Sequence, residues 1–322
     1  MNNCTIQKHP VHALLDDFFV KTDISDVIAE YQHKNSNHKK WLMFSDYCFD
    51  DKNKANDVMT FVLMPYVSEE KFYEMQKAIH NMQPSDIKKT TTVNEAFLSY
   101  LKSENVLTFS FVLNDRKHFL APSYDQCLQG VKETLQTIRN CYEGWKKTTN
   151  NEETIEHYEN IVKKIEQQLA PLNSKNPDIK LLNDILITAF LGAYVSTKVL
   201  EGLSIEMFGW FSDRDNIISG KGNIIIPIFH FYQHNMLQGH QYQLCTFTPD
   251  SSVKPFYEEF NRIADVITGA IADYNMENDY ITADKFNTVL IDFLADNKQA
   301  LIFCIHKVSD TYQVSHIVIH PK

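Results

Sequence analysis

Trp41-Leu42-Met43-Phe44-Ser45-Asp46 is an apolar run that ends on a carboxylate, and its reading decides the fold. After the polar turn Asp50-Asp51-Lys52-Asn53-Lys54, a second apolar run extends from Val58 to Met64. Two β-type runs across a short polar connection predict an antiparallel strand pair, with Asp46 where the first strand runs out. Val106 to Leu113 is nearly all apolar and predicts a third strand, buried on both faces. Between these strands, helical spacing covers 68 to 81 (Phe72, Met75, Ile79) and 94 to 102 (Ala96, Phe97, Leu101). The polar segment Asp86-Ile87-Lys88-Lys89-Thr90 separates the two helices.

Outward from this centre, residues 11 to 31 read as a helical preface, with Thr22 or Asp23 as N-cap before Ile24, Val27, Ile28 and Tyr31. From about 123 to 170, two polar helices meet near Thr148-Thr149-Asn150-Asn151, as an inserted hairpin would. Beyond the breaker region Pro171 to Pro177, Asp178 to Leu200 reads as a helix apolar on most of its surface, hence buried, with Gly202 as its C-cap. Ile205 to Phe211 predicts a strand ending at Ser212-Asp213-Arg214-Asp215. Ile224 to Leu237 is read as helical, Tyr242 to Phe247 as a strand and Lys254 to Tyr274 as a strong helix. A helix at about 283 to 295 and the hairpin Ala300 to Val308, Tyr312 to Ile319 complete an α/β chain.

Composition removes several functions. The nine glycines all lie at or after Gly130, and no Gly-x-x-x-x-Gly-Lys-Ser/Thr or Gly-x-Gly-x-x-Gly loop is present, so ATP and dinucleotide binding lose their usual signature. Lys plus Arg number 31 against 41 Asp plus Glu; a net charge of −10 argues against coating nucleic acid through bulk positive charge. The six cysteines are dispersed, so neither a zinc ribbon nor a disulfide framework is indicated, and a reduced, cytoplasmic compartment is expected. Residues 1–10 lack a basic region leading into an apolar run, so no secretory signal is expected. The longest apolar stretch, Ile185 to Val195, is shorter than the roughly 20 residues a membrane helix requires.

The chemistry is suggested by position. Asp46 and Asp213 each end an apolar strand, Asp265 lies inside an otherwise apolar helix, and Asp86 opens a segment between two helices. A carboxylate in apolar surroundings must be paired, protonated or metal-bound, because isolated burial costs several kcal/mol. Mg²⁺ prefers such oxygen ligands, and two ions roughly 4 Å apart suit in-line phosphoryl displacement.

These residues resemble a known pattern. Asp46 ending the first strand, Asp86-Ile87-Lys88 between helices, Asp213-Arg214 ending a later strand and Ala264-Asp265-Val266-Ile267-Thr268-Gly269-Ala270 on a late helix are similar to the ribonuclease H-like family catalogued as domain of unknown function 3800. The last stretch is the most specific: Gly269 follows Asp265 by one turn, which would let that helix approach the sheet. The resemblance covers about 40–275. It implies one ribonuclease H-like domain over 1–322, a mixed sheet flanked by helices, with a helical insertion at about 123–176 and a C-terminal β-hairpin extension at 276–322. It further implies Asp46, Asp86, Asp213 and Asp265 as ligands of Mg²⁺ or Mn²⁺, Lys88 near the scissile phosphate or attacking water, and hydrolysis of a nucleic-acid phosphodiester. Asp215 stands as an alternative to Asp213, since residues two apart on a strand share a face. Departures are Tyr47-Cys48-Phe49 where the family usually has Glu-Ser-Gly, and Asp86 where it more often has Glu. A shorter side chain at 86 would reach a metal through water.

Two other readings compete. One is a catalytically inactive interaction module that keeps the fold and docks protein partners through the 123–170 hairpin and the C-terminal hairpin. The other is zinc held by His230 and His234, four apart on one helical face, although no Glu follows His230 to complete a metalloprotease pattern. Cys48 reads as a small buried thiol. Trp145-Lys146-Lys147, Lys39-Lys40 and Arg116-Lys117-His118 are small basic patches, solvated or able to guide a phosphate backbone.

Overall fold

Seven strands form one sheet in the order β5-β4-β1-β2-β3-β6-β7. They are β1 (Lys40–Cys48), β2 (Val58–Pro65), β3 (Leu107–Leu113), β4 (Met207–Ser212), β5 (Gln243–Phe247), β6 (Ala300–Val308) and β7 (Thr311–Ile317). The computed structural model describes residues 10–103, 106–119, 121, 123–213, 215–238, 242–247, 255–308 and 311–320. β1, β2 and β3 make an antiparallel meander, while β4 runs parallel to β1 and β5 parallel to β4. The predicted pair 41–46 and 58–64 is therefore present. β3 is buried along its whole length, as its apolar run requires.

The helices are α1 (Pro10–Lys21), α2 (Ile24–Lys34), α3 (Glu69–Met82), α4 (Glu95–Ser103), α5 (Tyr124–Lys146), α6 (Glu152–Leu169), α7 (Lys180–Leu200), α8 (Asn216–Ser219), α9 (Ile225–Met236), α10 (Glu258–Asp273) and α11 (Lys285–Thr288). The preface is thus two helices. Asp23 stands at the N-cap of α2 without a side-chain capping bond. The expected tail helix is present, its α-helical start α11 passing into a π-helical turn, Val289–Leu294.

Two compact units divide the chain. The helical one takes in the chain up to Ala13 together with 115–197 and 214–240. It therefore reaches well past the α5–α6 hairpin. The reason is α7: its buried residues include Leu182, Ile185, Leu186, Phe190, Leu191 and Val195, so it needs cover on several sides and forms a core for this unit. Inside it, Tyr142 of α5 donates to the carbonyl of Pro227 in α9, and Gln233 of α9 donates to Ser196 of α7.

The sheet unit comprises 14–114, 198–213 and 241–322. The C-terminal hairpin belongs to this sheet: β6 pairs parallel with β3, Thr108 opposite Ala300, and β7 closes that side. Ala300 to Ile305 are buried, so the tail supplies core. On the face bearing Phe44 and Phe211, α10 covers the sheet, with Phe260 stacked on Phe44 at 5.0 Å. Cys48, Cys127, Cys245 and Cys304 carry thiols, whereas Cys141 is disulfide-bonded, a departure from the thiols expected in a reduced compartment. Among the described residues, no helix is long and apolar enough to cross a membrane.

Candidate functional site: an acidic cleft

Strand alternation puts the first two carboxylates together. Ser45 and Ser212 are the last parallel pair between β1 and β4, so Asp46 and Asp213 occupy the next position on each strand. Both lie two residues beyond Phe44 and Phe211, on the face that α10 covers. β1 itself continues to Cys48, with Asp46 opposite Thr60, so the expectation that this strand runs out at Asp46 is corrected: only its pairing with β4 stops there. The hydroxyl of Thr268 in α10 donates to the Asp46 carbonyl at 3.4 Å, tying helix to strand.

Asp265 is 7% exposed, and one of its oxygens accepts the backbone N–H of Ile87 at 3.3 Å. Ile87 begins a single 3₁₀ turn, Ile87–Lys89, whose N-cap is Asp86; the Asp86 side chain accepts the Lys88 N–H at 2.7 Å. Successive N–H groups at one turn thus meet two carboxylates. Lys285 holds the other end by donating to the carbonyls of Ile87 and Thr90 at 2.7 and 3.0 Å. Gly269 has a different role from the one expected. A Cβ there would meet the Phe286 ring at 3.0 Å and Ile87 at 4.0 Å, so the missing side chain admits the Phe286 ring beside the turn rather than bringing α10 to the sheet.

A cleft of about 330 Å³ opens here, lined by Asp86, Lys89, Asp213, Glu258, Asn261, Arg262 and Asp265 among others. Burial pushes the Asp46 carboxyl well above its ordinary range, and the charges of Asp265 and Asp213 add to the rise; Lys88 and the Tyr47 N–H oppose it. Asp265 is raised to about 7, first by burial and then by Asp86, against Lys88 and the Ile87 N–H. Asp213 is raised by burial, although its hydrogen bond from Asn261 and the charge of Lys88 pull the other way. It retains an exposed surface, as a group on the wall of an open cleft does. Lys88 responds in the opposite sense: burial would lower its pKa, but Asp265, Asp46, Asp86 and Asp213 raise it. These five side chains form one electrostatic system.

Asn261 was absent from the sequence prediction. It is 2% exposed, donates from Nδ2 to Asp213 at 2.7 Å, and its Oδ1 is buried with no hydrogen-bond partner among the described residues. Its signal was present in the sequence, one helical turn before Asp265 on the same helix. Arg262 also went unpredicted; it is paired with Glu258 and Glu259 and donates to the Gln83 carbonyl.

The donor chemistry suits a hard divalent cation: carboxylates that repel one another, and an orphan amide oxygen at the same cleft. Among the described residues, no group of three or more His, Cys, Asp or Glu is arranged to hold an ion as it stands. A cation would have to draw these side chains inward or keep several waters, as Mg²⁺ commonly does.

Other expected residues fall elsewhere. Asp215 belongs to the helical unit and caps α8, accepting the Ile218 N–H at 2.8 Å. His230 and His234 share α9, with ring centroids 6.1 Å apart; Trp145 packs its edge against both, at 5.9 and 4.9 Å. Burial, then the neighbouring histidines, push His230 down to about 4, so its ring is a neutral packing element at ordinary pH. Burial pushes the Cys48 thiol up to about 11, which matches an unreactive thiol. The basic patches are largely engaged: Lys39 pairs with Glu206, Lys146 with Glu143 and Glu159, and Arg116 is buried in an ion pair with Asp184. Arg116 is therefore no phosphate guide.

No family model, curated protein or solved structure matches this chain. The function must be argued from the cleft.

Proposed function

We propose that the acidic cleft is the centre of a metal-dependent phosphodiesterase acting on nucleic acid. The observation that carries this reading is the joint rise in the protonation range of Asp46, Asp213 and Asp265 beside the buried, unpartnered Oδ1 of Asn261. A site that resists ionisation in this way is stabilised by bound positive charge, and its ligands are all oxygens. The sheet adds support: an antiparallel meander on one side of β1, parallel strands on the other and acids near the carboxyl ends of β1 and β4 are what a ribonuclease H-like reading expects. This fold-level likeness raises the prior without supplying an activity.

Asp46, Asp213 and Asp265 would hold Mg²⁺ or Mn²⁺, with Asp86 reaching through water and Asn261 Oδ1 as a neutral donor. Bound there, such ions lower the pKa of water and neutralise charge on a phosphate. Lys88 directs a cation at the same carboxylates and supplies charge for a phosphate oxygen. Asp265, raised to about 7 without a metal, would be ionised by the bound cation. No covalent intermediate is required.

The test supplies Mn²⁺ with mixed DNA and RNA substrates and compares the wild type with Asp265→Asn. Cleavage by the wild type alone, with calorimetric Mn²⁺ binding weakened in the variant, is expected. Equal absence of cleavage and of Mn²⁺ binding in both proteins ends the enzyme reading and favours an interaction module.

A further inference from the structure

Beside the cleft the sheet unit carries an aromatic ledge that carboxylate chemistry leaves unused. Tyr73 is 55% exposed and Phe256 50%, two of the four exposed Phe, Tyr or Trp side chains among the described residues. Both touch one ring, Phe72, at centroid separations of 5.9 and 6.2 Å. Phe72 is in turn stacked on buried Phe260 of α10 at 4.6 Å. Phe256 stands edge-on to Phe211 at 5.4 Å, and Gln76 donates to its carbonyl. The exposed faces are therefore held on core aromatics and lose little freedom when a ligand covers them.

The ledge is continuous with the cleft along the chain. Pro255 and Glu258, on either side of Phe256-Tyr257, line it together with Asp213. Phe211 precedes Asp213 by two residues, and the Tyr257 hydroxyl donates to the Ser212 carbonyl at 3.3 Å. Lys71 borders a small hollow beside Phe72 and Tyr66, and so sets a cation at the rim. Exposed aromatic rings, inclined to one another beside the proposed phosphodiester site, match one occupant, an unpaired nucleobase. Bases within a duplex are stacked on each other and cannot present their faces, whereas single strands stack on protein aromatics regardless of sequence.

We propose that Phe72, Tyr73 and Phe256 form a base-stacking subsite for single-stranded nucleic acid whose backbone enters the acidic cleft. This rests on the phosphodiesterase reading and names its substrate class. Binding of the full chain to labelled oligonucleotides of about 12 nucleotides, DNA and RNA, and to the matching duplexes, is measured by fluorescence anisotropy in Ca²⁺. The single strands should bind at least tenfold more tightly than the duplexes, and Tyr73→Ala with Phe256→Ala should weaken them about tenfold. Phe256→Trp preserves a ring; it should keep the affinity, and single strands should quench the new indole. Equal affinity of wild type and double variant, or duplex binding as tight as single-strand binding, overturns the subsite. Cleavage separates the two readings. If the binding results hold but Mn²⁺ supports no cleavage, the hydrolase fails and the subsite stands; if cleavage occurs and the double variant binds and cleaves like the wild type, only the subsite fails.

Discussion

The Asp265 carboxylate accepts the N–H of Ile87, a residue 178 positions away in the chain. This bond joins α10 to the turn that carries Asp86 and Lys88, and Asp265 is the acid whose pKa is raised to about 7. Between an ordinary aspartate pKa of about 3.9 and about 7, the folded chain binds more protons than the unfolded one. Stability therefore falls as pH rises through that window and levels off above it. Asp265→Asn keeps an acceptor for Ile87 but cannot ionise. In EDTA at pH 8 it should be more stable than the wild type by roughly 2–4 kcal/mol, and at pH 4 nearly equal. Urea unfolding at the two pH values decides the matter; a lower stability of the variant at pH 8 refutes the assignment.

Cation binding should reverse that penalty. Mn²⁺ at pH 7 is expected to raise the melting temperature and release protons, because it favours the ionised acids. Calorimetry in two buffers of different ionisation enthalpy measures the release. Asp46→Asn should diminish both effects; a variant that responds like the wild type removes Asp46 from the site.

Lys285 should act on the site without touching a substrate. Its ammonium bonds two carbonyls of the Asp86 to Thr90 segment, so Lys285→Met should destabilise the fold by about 1–3 kcal/mol. Mn²⁺ affinity should fall as well, since Asp86 and Lys88 lose their fixed positions. Unchanged affinity in a folded variant would show that this clamp does not organise the cleft.

Gly269→Ala tests the packing behind the same turn. Alanine favours a helix by up to about 1 kcal/mol over glycine, but the added Cβ would meet the buried Phe286 ring at 3.0 and 3.2 Å. Overpacking should win, giving a net loss of about 1–2 kcal/mol. Combining it with Phe286→Leu should recover part of that loss in a double-mutant cycle; strict additivity would mean that the two positions are not in contact.

Asp273 anchors the far end of α10. It is 1% exposed, pairs with Lys54 at 2.7 Å, and accepts from Thr282 and the Ala283 N–H. Burial alone would raise its pKa, yet the Lys54 and Thr282 hydrogen bonds lower it. Its contribution is present above the unfolded pKa and is lost as pH falls through the lower folded value. Asp273→Ala should cost roughly 3–5 kcal/mol at neutral pH, with a smaller difference under strongly acid conditions. Chemical denaturation at both pH values measures it.

Local pattern alone determined most of the elements. The runs at 41–46, 58–64 and 106–113 specified strands because alternating or continuous apolar stretches need a sheet to bury them, and an acid flanked by Ile263, Ala264, Val266 and Ile267 marked Asp265 as unusual. Position along the chain also singled out four acids as candidates: Asp46 and Asp213 near the ends of apolar runs, Asp265 within a helix and Asp86 opening the segment between two helices. Only the tertiary structure decided which acids lie near one another. Strand register set Asp46 beside Asp213, chain division assigned Asp215 to the helical unit as a cap, and packing on Gly269 brought Phe286 and the Ile87 turn against α10. Nor could sequence spacing show that 300–317 completes the sheet or that Tyr73 and Phe256 meet at Phe72. Hydrophobic periodicity records what a segment must bury, whereas partnership between distant segments arises from register and close packing, which no single stretch encodes.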